Sequence, residues 1–363
     1  TIWDFERRCL CDLGVCVRCC VRDARPPHPY HHHLMSWRFV RHDLLDLADA
    51  GTIWVAGPCD AAHAMFFCAG FPCDHSSFAP LAARFAEVGC LVGVGCMPEY
   101  DREEGCLRPE GYDLPQIGRC FGQAVAALLG QATAAPKVTL VVHDWGIAPG
   151  FFHSNVVGCD KLVVFDVLPV NPKVDPPDSV YYSLCHLNYQ SMFATSFLLH
   201  RYSRALGWAW LLGGQALLFV LLGKWLNPAG PKDGHRGGKG LWWVYASATG
   251  DRANAVDKES GGSLPMTPYR CYPYFHALKT LFRPAEAKAL QQGLSFDASL
   301  AKQPICYIYG EEKNTMFHTR AQLAKLRAKE GCVVVGVPRA GHWCYKHEPE
   351  ACYAAVKVFV LGE

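Results

Sequence analysis

The chain has 363 residues, enough to bury a large core as one α/β domain or as a domain with an insertion. Thirty-five lysines and arginines against 33 acidic residues leave no charged footprint for nucleic acid and no acidic tail. Nineteen cysteines are many, but they are scattered, and Cys68, Cys90, Cys96, Cys306 and Cys332 lie inside apolar, strand-like runs. That usage suits reduced thiols filling a core in an intracellular, reducing compartment; a disulfide framework belongs to shorter, loop-rich secreted chains. The sequence begins at Thr1 without an initiator methionine, as a fragment or a chain that has lost a leader would, so cytoplasm and organelle both stay open.

Residues 1–35 form a cysteine-rich extension holding Cys9, Cys11, Cys16, Cys19 and Cys20, with His31-His32-His33 close behind. Cys16-x-x-Cys19 has metal-ligand spacing, but no second pair lies at a zinc-ribbon distance, so an incidental cluster is the favoured reading and no metal is expected. Residues 36–171 then alternate between strand and helix patterns. Ser36–His42 and Thr52–Gly57 pattern as an antiparallel hairpin, and His63–Ala69 as a third strand. Ser77–Val88 has helical spacing through Phe78, Leu81, Phe85 and Val88. Cys90–Val94 is a strand and Leu114–Leu129 a helix, with Ile117, Phe121, Val125 and Leu128 on one stripe. Lys137–Val142 is a strand, a short helix follows, and Lys161–Val167 is the next strand. This alternation predicts an α/β fold with a mostly parallel sheet and helices on both faces.

After Pro169 the alternation stops. Residues 172–290 are rich in aromatics and proline, with a Gly-rich hinge over Pro228–Gly240, and read as an inserted helical cap. Within them Ala205–Gly223 runs nineteen residues without a charge, a transmembrane candidate on hydropathy alone. A single span is excluded if the last strands join the same sheet, because it would put Asp144 and His342 on opposite sides. A buried cap helix is preferred, with an apolar face on a membrane as the alternative. Residues 291–363 return to the core pattern, with strands at Ile305–Tyr309 and Cys332–Val337 and a terminal helix at Pro349–Leu361.

The chain is organised around Lys137–Gly150, where an uncharged strand runs straight into His143-Asp144-Trp145-Gly146 and a helix start. A sharp strand-to-helix turn exposes the residue at its apex and sets it beside the helix N-terminus. Here that residue is a carboxylate, which suggests nucleophilic attack by Asp144; the alternative is an aspartate that caps the next helix. Three ordered motifs bear on the choice. His143-Asp144-Trp145-Gly146 is similar to a nucleophile elbow. Ala340-Gly341-His342-Trp343 with Glu348-Pro349 is similar to a segment bearing a catalytic histidine. Ala69-Gly70-Phe71-Pro72 resembles a His-Gly-x-Pro oxyanion loop, with Ala69 where histidine is usual. Together, over about residues 50–363, the chain resembles α/β-hydrolases of the epoxide hydrolase and haloalkane dehalogenase branch.

The chemistry of the residues agrees with what that resemblance implies. Attack by the Asp144 carboxylate on an electrophilic sp³ carbon gives an alkyl ester and needs no base at neutral pH. A serine would give an ether that water could not cleave. Water deprotonated by His342 would then hydrolyse the ester at its carbonyl, with the backbone N–H groups of Phe71 and Trp145 holding the oxyanion. An acid must orient His342. In many epoxide hydrolases it follows the next-to-last strand, but there this chain reads Tyr309-Gly310-Glu311-Glu312-Lys313-Asn314, with Lys313 at the aligned position. Dehalogenases of this branch carry the acid after the strand following the elbow, where Asp166 stands 22 residues beyond Asp144. Asp166 is therefore assigned, with Glu312 in reserve. Tyr189 in Asn188-Tyr189-Gln190 and Tyr274 in Tyr272-Pro273-Tyr274-Phe275 resemble the cap tyrosines that protonate the leaving alkoxide. A dehalogenase would want Asn beside the oxyanion loop for halide, where this chain has Phe71.

The expectation is a hydrolase opening an apolar epoxide to a diol without a cofactor. The rivals are a haloalkane dehalogenase and an idle hydrolase-fold subunit with a structural role in a larger assembly, at a membrane or away from one. The expected partner is an apolar small molecule, with membrane or protein contact through the cap or the N-terminal extension left open.

Overall fold

The computed structural model describes residues 40–43, 52–101, 108–168, 180–218, 267–281, 302–311 and 318–363. The N-terminal cysteines with Cys16-x-x-Cys19, the stretch 228–240 and Glu312 lie outside the described residues. Eight strands form one sheet: β1 Val40–Asp43, β2 Thr52–Ala56, β3 His63–Ala69, β4 Leu91–Cys96, β5 Lys137–His143, β6 Lys161–Phe165, β7 Ile305–Gly310 and β8 Val333–Val337. Their order across the sheet is β1-β2-β4-β3-β5-β6-β7-β8. β1 pairs antiparallel with β2, and β2 antiparallel with β4; every later pairing is parallel. The fold class is the one the alternating pattern predicts, and β5, which ends at the elbow, lies in the middle of the sheet.

The central strands carry no polar face because both of their faces are covered. In β3, Met65, Phe67 and Ala69 point into one core while Ala64, Phe66 and Cys68 point into the other. β5, β6 and β7 divide in the same way, for example Val163 and Phe165 against Leu162 and Val164. This is the period of two expected of a strand, expressed as a continuous apolar run. Helices α1 (Ala79–Glu87) and α8 (Pro349–Leu361) close the first core through Leu81, Phe85, Val356 and Val360. Helices α2 (Leu114–Leu129), α3 (Ile147–Val156) and α7 (Arg320–Ala328) close the second through Phe121, Val125, Phe151 and Leu326. Asp113 caps α2 reciprocally with Gln116, which explains its sharp start at Leu114. The cysteines fill these cores as expected: burial pushes the Cys68 and Cys306 thiols up to about 12, so both stay protonated and inert.

Between β6 and β7 in sequence come α4 (Val180–Tyr202), α5 (Arg204–Leu218) and α6 (Tyr272–Leu281). They pack over a third apolar cluster, in which Phe193, Phe197, Tyr269, Tyr272 and Tyr274 meet Phe71, Met97 and Tyr100. The described part of the uncharged run that begins at Ala205 is not buried on all sides. Leu211 is buried against its neighbours, but Leu206, Trp210 and Leu212 are 52%, 44% and 38% exposed. The absence of charge reflects one docked stripe and one apolar outer face, not a helix enclosed by others. No helix of the described residues is long and apolar enough to cross a membrane.

Candidate active site

β5 delivers Asp144 at φ 52°, in the left-handed region that non-glycine residues seldom adopt. The kink turns the chain from strand to helix and presents the carboxylate beyond the sheet. The Asp144 side chain does not cap α3; its Oδ1 accepts the backbone N–H of Phe71 at 2.8 Å. That bond requires the loop after β3 to lie almost against the elbow, and Gly70 permits it. A Cβ on residue 70 would stand 2.3 Å from the Trp145 nitrogen and 2.6 Å from the His143 oxygen. The Phe71 amide is thus held on the Asp144 carboxylate, with the Trp145 nitrogen close to Gly70.

The loop after β8 supplies the histidine. His342 Nε2 lies 3.4 Å from Asp144 Oδ2, and its Nδ1 lies 2.5 Å from Asp166 Oδ2. The loop is seated on the end of β7, where a Cβ at Gly310 would fall 2.2 Å from the Gly341 oxygen. β6 stops at Phe165, two residues short of its expected end, because Asp166 adopts φ 68° and leaves the strand. Asp166 is fully buried and locked from several sides. Its N–H donates to Ile308 O at 2.7 Å, its Oδ1 accepts Gly310 N–H at 3.2 Å, and its carbonyl accepts the Tyr307 hydroxyl at 3.0 Å. A carboxylate so held fixes both the tautomer and the direction of the imidazole it faces.

Burial alone would push the His342 imidazole down, but the hydrogen bonds and charges of Asp144 and Asp166 outweigh it and hold it up at about 9. The two acidic neighbours thus favour the protonated imidazole in the resting site. Loss of the Asp144 charge and of its bond would lower the imidazole toward the neutral form a base requires. The same logic predicts that Asp144→Asn lowers the resting His342 titration from about 9, followed by NMR of the imidazole. A titration unchanged in that variant contradicts it.

His143 was visible in the elbow motif, but its role was not. It is buried, its Nε2 lies 3.2 Å from the His342 carbonyl oxygen, and the two rings are 4.5 Å apart. Burial first, and then the neighbouring His342 charge, push it down to about 3. It is a neutral strut under the loop of His342, not a second base.

Tyr274, on α6, stands over the elbow. Its ring packs edge-on against Phe71 at 5.1 Å and Trp145 at 4.9 Å, and against Phe193 at 4.9 Å. Tyr189 occupies α4 one helical turn before Phe193; its side chain lies outside the described residues, as does Glu312. Sequence reasoning passed over Arg270, which is buried and joins the inserted helices to the loop after β3 that carries Phe71. Among the described residues no group of three His, Cys, Asp or Glu side chains is placed to hold a metal ion.

No protein-family model matches the chain, and no curated protein matches it in sequence. Solved structures do. A Klebsiella pneumoniae protein described as an epoxide hydrolase is 15% identical, with a TM-score of 0.54 over 89% of this chain and 97% of that one. The haloalkane dehalogenase of Bradyrhizobium elkanii is 16% identical, with a TM-score of 0.51 over 90% and 98%. A thermophilic esterase of Thermogutta terrifontis is 13% identical, with a TM-score of 0.51 over 90% and 98%. At such identities the likeness establishes the architecture: the chain has the α/β-hydrolase fold.

Proposed function

We propose that the protein is a hydrolase that opens an apolar epoxide to a diol through an alkyl ester on Asp144. The observation that carries this reading is the nucleophile position itself. A carboxylate occupies the elbow, with one oxygen on the Phe71 amide and the other facing His342. Asp144 Oδ2 attacks a ring carbon, the C–O bond of the epoxide breaks, and the alkoxide takes a proton from Tyr274, with Tyr189 as its companion. The ester carbonyl oxygen is then Oδ1, already on the Phe71 N–H. His342 removes a proton from water, which adds to the carboxyl carbon, and Oδ1 becomes the oxyanion held by Phe71 and Trp145. Collapse breaks the bond from the carboxyl carbon to Oδ2, which leaves in the diol with the proton from His342; the second water proton passes from the new carboxyl group to Tyr274, and Asp144 is restored with one oxygen from water. Asp166 keeps Nδ1 protonated and stabilises the imidazolium formed in this step. The aromatic surround of Phe71, Trp145, Phe193 and Tyr274 offers no ionic partner to a substrate, which supports an apolar one.

Asp166→Asn preserves shape and removes charge, and is expected to lower turnover by on the order of 10³-fold. Glu312→Gln is expected to change little, since Asp166 already fills the place beside Nδ1. The reverse ordering would transfer the acid's role to Glu312. The functional reading itself is tested on a panel of apolar epoxides and haloalkanes, monitored for diol and for halide. Diol from epoxides is the expected result. Halide release without epoxide opening selects the dehalogenase, and an inert protein that purifies in a fixed complex selects the idle subunit.

A further inference from the structure

The inserted helices grip the core next to the oxyanion loop through a short buried segment, Tyr269–Tyr272, at the start of α6. Four hydrogen bonds tie it to the loop after β4. The Tyr272 hydroxyl donates to Pro98 O at 3.0 Å, and the Tyr269 hydroxyl donates to the Glu99 carboxylate. Arg270 Nη2 donates to Tyr100 O at 2.5 Å, and the Tyr100 hydroxyl donates back to Arg270 O. Arg270 also reaches further. Its Nη1 donates to the carbonyl of Pro72 at 2.9 Å, and Pro72 directly follows the residue whose N–H rests on Asp144 Oδ1.

Arg270 is only 4% exposed. A guanidinium is kept out of water at a cost and must be compensated by well-formed bonds. This one spends its rigid fork on two backbone carbonyls from separate loops, a pair that lysine, a single point charge, cannot bridge in the same geometry. From this juxtaposition we propose that Arg270 is a positioning residue through which the inserted helices hold the Phe71 amide on Asp144 Oδ1. The consequence for the two half-reactions rests on the functional reading above. When Asp144 is alkylated, Oδ1 changes from a carboxylate oxygen to an ester carbonyl and loses charge. When water adds, Oδ1 becomes the oxyanion and gains charge. A firmly placed amide therefore favours hydrolysis of the ester and does nothing to speed its formation. Arg270 acts on the second step alone.

The test compares Arg270→Lys with Tyr269→Phe, which removes a neighbouring bond from the same segment to the loop after β4 but does not touch Pro72. With a reactive apolar epoxide as probe, Arg270→Lys is expected to alkylate Asp144 at close to the parental rate. Hydrolysis should slow about tenfold, so that alkyl-enzyme accumulates in intact mass spectra. Tyr269→Phe is expected to partition like the parent. An independent readout is the ¹⁵N–¹H resonance of the Phe71 amide in protein labelled with ¹⁵N only at phenylalanine, identified by its loss in Phe71→Leu. In Arg270→Lys it should move toward its position in Asp144→Asn, where the charged acceptor is gone. Arg270→Gln takes the place of the lysine variant if that one does not fold. An unmoved amide with parental partitioning overturns the inference, as does equal slowing of both steps in Arg270→Lys and Tyr269→Phe, the signature of a purely structural tie. A parent protein that never becomes alkylated overturns the functional reading instead, and the amide resonance still decides the positioning claim.

Discussion

Asp144→Ala is expected to lower turnover by on the order of 10⁴-fold or more while the protein keeps its fold. The two halves of that statement have different origins. Turnover fails because the alanine has no atom to attack with, and neither Phe71 N–H nor His342 can take over that role. The fold survives because Asp144 contributes nothing to the three apolar clusters that hold the sheet and its helices together. Its removal leaves the Phe71 amide without this acceptor, a local cost of about 1–3 kcal/mol, and the left-handed backbone at the elbow remains, which alanine tolerates no better than aspartate. Turnover against circular dichroism of the same sample is the measurement. Activity within tenfold of the parent would rule out covalent catalysis by this residue.

His342→Gln should separate the two half-reactions. The carboxylate attacks without help from a base, so the alkyl ester still forms. The glutamine cannot deprotonate water, so the ester persists, and turnover falls to the rate of its spontaneous hydrolysis. Incubation with a reactive epoxide should raise the intact mass of the protein by the mass of the substrate, with the added mass on the peptide that contains Asp144. A bound substrate that leaves the protein unmodified would count against a two-step path.

Several of these elements were legible in the residues. His63–Ala69 and Leu114–Leu129 have the bounds their patterns predict, because each is closed by turn or capping residues as well as by periodicity. Asp144 and His342 stood in recognisable motifs, and Asp166 followed because Lys313 and Asn314 left the other position without an acid. What brings Asp166 to 2.5 Å from His342 is a left-handed residue at the end of β6, beside the end of β7. That meeting of remote segments is not encoded in any local pattern. The same holds for Arg270, which meets Pro72 across 198 positions of sequence. The exposed face of the helix that begins at Arg204 is not legible in the sequence for a simpler reason. A run without charge shows that no residue demands water, but not which of its faces receives it, and Leu206 and Trp210 face outward.

The central claim is that Asp144 itself donates an oxygen to the product, and a single turnover in oxygen-18 water tests it directly. With enzyme in excess over epoxide, water adds at the carboxyl carbon of the ester, and the bond from that carbon to the alkylated oxygen is the one that breaks. The account predicts one oxygen-18 atom in the peptide containing Asp144 and none in the diol. A labelled diol together with an unlabelled Asp144 peptide would mean that water attacks the substrate itself, and would contradict the account.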